Sequence, residues 1–230
     1  MTSPIRIIAT EDGSQSLYNE ALNETYHSTH GALTESQYVF IKQGLDLLVE
    51  RGETKIDIFE VGFGTGLNAL LVQEYAKRNP QLTISFTTLE PFPLSTSLIS
   101  ELTYDQLIAG VSREDFEALH DCAWEEQVNL SPNFSLIKHR IPLKDFASNL
   151  GFDLVFFDAF APSKQPEMWE IALLSKVSAL MNTGAVFVTY CACGQLKRDL
   201  ADLGLRVETL PGPPGKKEMV RGVKTANEKP

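Results

Sequence analysis

The sequence predicts an α/β fold: an open, doubly wound sheet, mostly parallel with an antiparallel last strand, plus a small N-terminal hairpin and helix extension. Three observations lead there. Near-continuous apolar runs alternate with helical stretches, as parallel strands covered on both faces require. The first of these runs in the main domain ends in a glycine-rich turn into a helix, Gly62-Phe63-Gly64-Thr65-Gly66. The last two runs are joined by Pro211-Gly212-Pro213-Pro214-Gly215, too short for a crossover helix, so the final strand should run antiparallel.

In chain order, residues 5–9 and 16–19 flank the turn-prone Glu11-Asp12-Gly13 and read as a hairpin. A polar loop leads to a helix over 35–49, with Val39, Leu45 and Leu48 on one apolar stripe and Arg51-Gly52 as its stop. Residues 1–52 are thus expected to form an N-terminal extension packed on a main domain, 53–230. That domain should run as strand 56–61, helix 67–77, strand 83–89 and a mixed helical stretch over 94–128. Strands 134–137 and 153–157, helix 167–180, strand 185–190, helix 195–203 and strands 205–210 and 218–223 complete it.

With 230 residues, 43% of them hydrophobic, the chain can bury one sizeable core. No apolar run approaches the roughly 20 residues needed to span a bilayer, and no basic segment leads into an apolar signal core, so no membrane partner and a cytoplasmic location are expected. The net charge of -10 argues against indiscriminate polyanion binding. A local basic surface is still available, because residues 211–230 carry Lys216, Lys217, Arg221, Lys224 and Lys229 against only Glu218 and Glu228; a solvated tail would look the same. Cys122, Cys191 and Cys193 are too few for a zinc or disulfide framework and read as free thiols. His27 and His30 have no further ligand in view, so no metal site is expected.

Chemistry concentrates in three places. The glycine turn lets backbone approach a ligand closely. A dinucleotide site would keep a glycine where Leu67 stands and would bring pyrophosphate to the helix N-terminus. Glu60, just before the glycines, would repel a pyrophosphate but suits the ammonium and sulfonium charges of S-adenosylmethionine. Glu90 follows the second strand, about 24 residues beyond Gly66 and near the roughly 20-residue offset at which an acid grips ribose hydroxyls. Glu60, Gly62, Phe63, Gly64, Thr65, Gly66, Asn68, Glu90 and Asp158 are therefore the candidate cofactor-binding residues. The third place is Asp158-Ala159-Phe160-Ala161-Pro162-Ser163-Lys164-Gln165-Pro166-Glu167-Met168-Trp169, an acid at a strand's carboxyl end followed by a proline-rich loop. Taken alone, that loop could be a structural turn closed by a helix starting near Pro166.

The Gly-Phe-Gly-Thr-Gly-Leu-Asn turn, the 158–169 segment and the C-terminal Pro-Gly…Gly-Lys-Lys-Glu-Met together resemble the methyltransferase half of the bifunctional MnmC family. The resemblance extends to Tyr26-His27-Ser28 and Gly31-Ala32-Leu33-Thr34-Glu35-Ser36 and covers nearly the whole chain. It implies a Rossmann-like class I methyltransferase sheet, S-adenosyl-L-methionine as cofactor, and the anticodon stem-loop of tRNA as substrate. The implied reaction is methylation of the amine of 5-aminomethyl-2-thiouridine at the wobble position. No flavin-dependent half is expected in this chain. After the third strand, Lys138-His139-Arg140-Ile141-Pro142 stands where many such enzymes carry an acid for the adenine amino group; a backbone carbonyl or Asp145 could serve instead.

Methyl transfer to an amine moves positive charge from sulfur to nitrogen, so a carboxylate near the acceptor orients it and stabilises the product. Asp158 is the expected catalytic group, with Tyr190 bordering the same pocket. His27, Phe160, Lys164, Trp169, Lys216 and Lys217 are expected on the substrate side. Two other classes stay open: a methyltransferase acting on a small amine or a protein, and a non-enzymatic nucleotide-binding module.

Overall fold

The computed structural model describes residues 5–226; Glu228 and Lys229 of the basic C-terminal cluster lie outside them. The hairpin forms as expected: β1 (Ile5–Ala9) pairs antiparallel with β2 (Gln15–Asn19), and a two-residue strand, β3 (Glu24–Thr25), adds to it. The following helical rod starts three positions earlier than expected. It runs through α1 (Ala32–Ser36), a π-helical stretch Gln37–Leu45 and α2 (Asp46–Glu50). The early start has a tertiary cause. Asp12, in the hairpin turn, accepts the Thr34 amide on Oδ2 at 2.9 Å and the Ser14 amide on Oδ1 at 3.0 Å, capping the helix from another element.

The main sheet has eight strands in the order β10-β11-β9-β8-β4-β5-β7-β6. Its parallel body is β4 (Lys55–Val61), β5 (Thr83–Leu89), β7 (Phe134–His139), β8 (Phe152–Phe157) and β9 (Met181–Thr189). The last strand, β11 (Glu218–Lys224), is antiparallel as expected and slots between β9 and β10 (Leu205–Pro211). The mixed helical stretch over 94–128 forms as α4 (Thr96–Ser100), a 3-10 turn and α5 (Arg113–Asp121), and it is followed by an antiparallel edge strand that was not expected, β6 (Val128–Ser131). Val128 and Leu130 alternate with Asn129 and Ser131, the period of a half-covered edge strand. The helix expected over 167–180 is broken: a 3-10 turn Pro166–Trp169 precedes α6 (Ile171–Leu180), because Glu170 between them takes extended backbone.

Strand residues alternate between two cores. Ile56, Ile58, Leu154 and Phe156 face the rod, α3 (Leu67–Arg78) and α5, whereas Phe59, Val61, Val155 and Phe157 face α6 and α7 (Gly194–Asp202). The Phe40 and Phe156 rings, with centroids 5.0 Å apart, fasten the rod to the sheet. The chain winds outward from β4 through β5 to β7, then returns to β8 on the other side of β4. The crevice between the carboxyl ends of β4 and β8 is thus the topological switch point, where open α/β sheets bind ligands. Val61 is in register with Phe157, so the glycine turn and Asp158 leave the sheet side by side. No helix among the described residues is long and apolar enough to cross a membrane.

Candidate active site

A cavity of about 770 Å³ opens at that switch point, within the size range of small-molecule clefts. Its floor is the glycine turn. Gly62 has φ +99°, and a Cβ there would stand 2.8 Å from the Asp158 carbonyl oxygen, so only glycine lets the two strand ends lie this close. Gly66, at φ +74°, turns the chain into α3. The Gly62 and Phe63 amides donate to the Leu89 carbonyl, each at 3.1 Å. Glu90 ties the turn to the next loop: Oε2 accepts the Gly64 amide at 3.0 Å and Oε1 the Phe92 amide at 2.9 Å. Burial pushes its carboxyl above the usual range.

Glu60 is 1% exposed. Thr88 Oγ1 donates to its Oε2 at 2.6 Å, while Oε1 has no partner. Burial is the main cause pushing this carboxyl up to about 8; Asp158 nearby adds to it. The Asn68 Oδ1 and Thr65 Oγ1 atoms are likewise buried without partners. Leaving such acceptors unpaired costs roughly 1–3 kcal/mol each, more when charged, so the turn is built to receive donors and positive charge. The orphaned oxygens and the cradle that a Cβ would fill fit a ligand carrying an ammonium and a sulfonium.

Asp158 faces the cavity, with Oδ2 accepting from Asn68 Nδ2 at 2.9 Å. Burial, then the Glu35 charge, push its carboxyl up to about 7, against the Asn68 bond and Lys216. The expected companions of Asp158 divide into two groups. Phe160 and His27 line the cavity, and Phe160 packs edge-on against Tyr26 with centroids 5.0 Å apart. His27 is buried; its amide donates to Ser16 Oγ at 3.0 Å, and desolvation lowers the ring to about 4, keeping it neutral near pH 7. Tyr190, Trp169 and Lys164 instead hold the loop. The Tyr190 hydroxyl donates to the Ala159 carbonyl at 2.8 Å, the Trp169 indole to the Phe160 carbonyl at 2.7 Å, and Lys164 Nζ to the Asn23 carbonyl at 2.9 Å. The buried Trp169 ring packs against Phe157 and Tyr190, so the expectation that it meets substrate gives way to a backbone-holding position. Lys216 is ion-paired with Glu35, and Lys217 is exposed.

Other groups escaped sequence reasoning. His120 Nε2 lies 3.2 Å from the Thr65 carbonyl; burial lowers the ring to about 4, and in its neutral form with the proton on Nε2 it donates to the glycine turn. Lys138, fully buried, turns away from the cavity and donates to the Leu119 and His120 carbonyls at 2.8 and 2.6 Å, capping α5. Nothing in the local sequence signals either contact, since both partners are tertiary. Asp145 is exposed and not part of the wall, which is formed there by Pro142, Leu143 and Lys144. No group of three or more metal-ligating side chains occurs among the described residues.

Residues 104–225 match a family model described as S-adenosyl-L-methionine-dependent methyltransferase. The chain is 29% identical over 245 residues to the tRNA 5-methylaminomethyl-2-thiouridine biosynthesis bifunctional protein MnmC of Aromatoleum aromaticum, covering 95% of this chain and 35% of that protein. Its counterpart in Hydrogenovibrio crunogenus is 32% identical over 218 residues, covering 87% and 31%. The chain thus spans about a third of the length of these relatives. Among solved structures, MNMC2 from Aquifex aeolicus superposes with a TM-score of 0.80 at 26% identity, over 99% of this chain and 73% of that one.

Proposed function

The chain belongs to the S-adenosyl-L-methionine-dependent methyltransferases, and on that footing we propose that it methylates the amine of 5-aminomethyl-(2-thio)uridine at the wobble position of tRNA. The names of the MnmC relatives and the likeness to MNMC2 support this acceptor. The observation that carries it is the Asp158 carboxylate, gripped by Asn68 and facing a cavity whose side is formed by the Tyr26–Phe160 pair. Aromatic faces of this kind take up a splayed-out base of an RNA loop. A tRNA substrate puts the reaction in the cytoplasm.

Glu60, Gly62, Phe63, Gly64, Thr65, Gly66, Asn68 and Glu90 would hold the donor, which supplies an electrophilic methyl group on sulfur. The acceptor amine arrives protonated. Asp158 Oδ1 takes its proton while Asn68 keeps Oδ2 in place, and the freed lone pair is then aligned with the methyl carbon. The Asp158 side chain, lifted to about 7 before the substrate enters, has the affinity for protons that such a base needs near neutrality. Tyr190 and Trp169 keep the 158–160 backbone still, and Phe160, Tyr26 and His27 form the acceptor wall. Tyr26 and His27 bring the N-terminal extension to this wall.

Purified protein incubated with methyl-labelled donor and tRNA carrying the aminomethyl group should label the tRNA and leave polyamines and protein unlabelled. Labelling of a small amine or protein in preference to tRNA would replace the proposed acceptor, and no labelling of any acceptor would leave a binding module.

A further inference from the structure

Glu35 and Lys216 stand 181 positions apart, yet they form an ion pair beside the catalytic loop. Glu35 is 5% exposed, and its other oxygen accepts the Ser28 amide at 3.1 Å. The Lys216 ammonium lies 3.7 Å from the centre of the Tyr190 ring, and the Tyr190 hydroxyl holds the carbonyl of Ala159, the residue after Asp158. The Glu35 carboxylate is buried and the Lys216 side chain is only partly so, at 29% exposed; taking a charge out of water offsets much of the attraction, so such a pair is a poor device for stability alone. Its position joins three separate places, α1, the segment just after β9 and the β10–β11 turn, beside one carboxylate.

We propose that Glu35 and Lys216 are positioning residues for Asp158, a paired charge that fixes the electrostatic surroundings in which this carboxylate gains and loses its proton. The chain of contacts Glu35–Lys216–Tyr190–Ala159 sets the loop's place, and the two opposite charges set its field. Asn68 from α3 bonds Asp158, and the charged and titratable groups that act on it or feel its charge are the Glu60 carboxyl from β4, Tyr190 just after β9, Glu35 from α1 and Lys216 from the turn. His27, beside Glu35 and Lys216, is neutral near pH 7. Of these, only Lys216 carries positive charge. The Glu35 carboxylate raises the proton affinity of Asp158 and Lys216 lowers it, so the two members of the ion pair oppose each other at this group.

The inference rests on Asp158 as the proton acceptor, but it is read without substrate or donor. Carboxyl-carbon NMR of the donor-free protein follows the Asp158 titration directly. Glu35→Gln keeps an oxygen for the Ser28 amide and releases Lys216 toward Asp158, so the Asp158 midpoint should fall by about one pH unit. Adding Lys216→Met to that variant should bring the midpoint back up. An unmoved or raised midpoint in Glu35→Gln overturns the proposal, and so does a double variant that stays at the single variant's value. Failure of the tRNA assay leaves both titrations readable, so the two ideas fall separately.

Discussion

The two walls of the cavity are built in opposite ways. The proposed donor wall, the turn from Val61 to Asn68 with Glu90 and the buried Glu60 behind it, comes from two neighbouring strand ends, and its shape is set by backbone: a turn at positive φ, paired amides and a carbonyl that leaves no room for a Cβ at Gly62. The acceptor wall collects Tyr26, His27 and Asp158, backed by Glu35, Tyr190 and Lys216, from five separate stretches, and side-chain contacts hold it together. A backbone-built wall accepts one ligand shape and resists change. A side-chain wall can be retuned residue by residue, which suits the half that must choose an acceptor.

Breaking the acceptor wall at its centre should have the largest effect. Asp158→Asn keeps the shape and the Asn68 contact but removes the base, so single-turnover methyl transfer should slow by roughly 10²–10⁴. Donor affinity, measured by calorimetry, should change far less. Equal losses in both would show that the walls do not act separately.

On the donor wall the sharpest probe is Glu60. Its carboxyl rises from 4.5 to about 8 in the donor-free fold, so the stability it contributes is full below pH 4.5 and is lost as pH rises through 8. Glu60→Gln should therefore raise the Tm of the donor-free protein at pH 8 while weakening donor binding by about 1.5–3 kcal/mol, the range for a hydrogen bond to a charged group. A cationic ligand favours the ionised carboxylate, so in the wild type donor affinity should climb from pH 6 to 8 with proton release, visible in buffers of different ionisation enthalpy. His27 and His120, both lowered to about 4, give stability that falls as pH drops from 6.5 to 4, mostly below this window. A donor affinity flat across pH 6–8 would remove Glu60 from charge recognition.

Glu90 ranks next, because its two oxygens already hold the Gly64 and Phe92 amides and share their acceptor capacity with any ribose hydroxyl. Glu90→Ala should raise the donor Kd about tenfold, roughly one charge-assisted bond. Unchanged affinity would confine Glu90 to bracing the turn.

The same contrast explains what the sequence made legible. The glycine turn, Glu60, Glu90 and Asp158 could be read because each is a local feature at a strand end, and the parallel strands announced themselves as apolar runs. Asp12 capping a helix from a hairpin, His120 bracing Thr65 and Lys138 capping α5 were hidden, since each joins partners far apart in the chain. Trp169 reads from the sequence as a substrate-side aromatic, but its role depends on where its indole points, and that is a packing fact. Glu35 was visible as a helix residue within a segment of the family resemblance, with no role attached; its charge gained meaning when the chain brought Lys216 to it.

Lys216 and Lys217 give the smallest effect and the cleanest separation, being adjacent residues read together in the sequence as one basic patch. Lys216 is drawn inward against Tyr190, whereas Lys217 is exposed. Lys217→Ala should weaken tRNA binding less than about tenfold, alike for all sequences, and reduce the salt slope by about 1 in a titration of binding against ionic strength. The Asp158 titration and donor affinity should not move. If Lys217→Ala shifts either of them, the turn carries charge into the catalytic wall through both lysines, and the division between an inner positioning residue and an outer phosphate contact fails at this point.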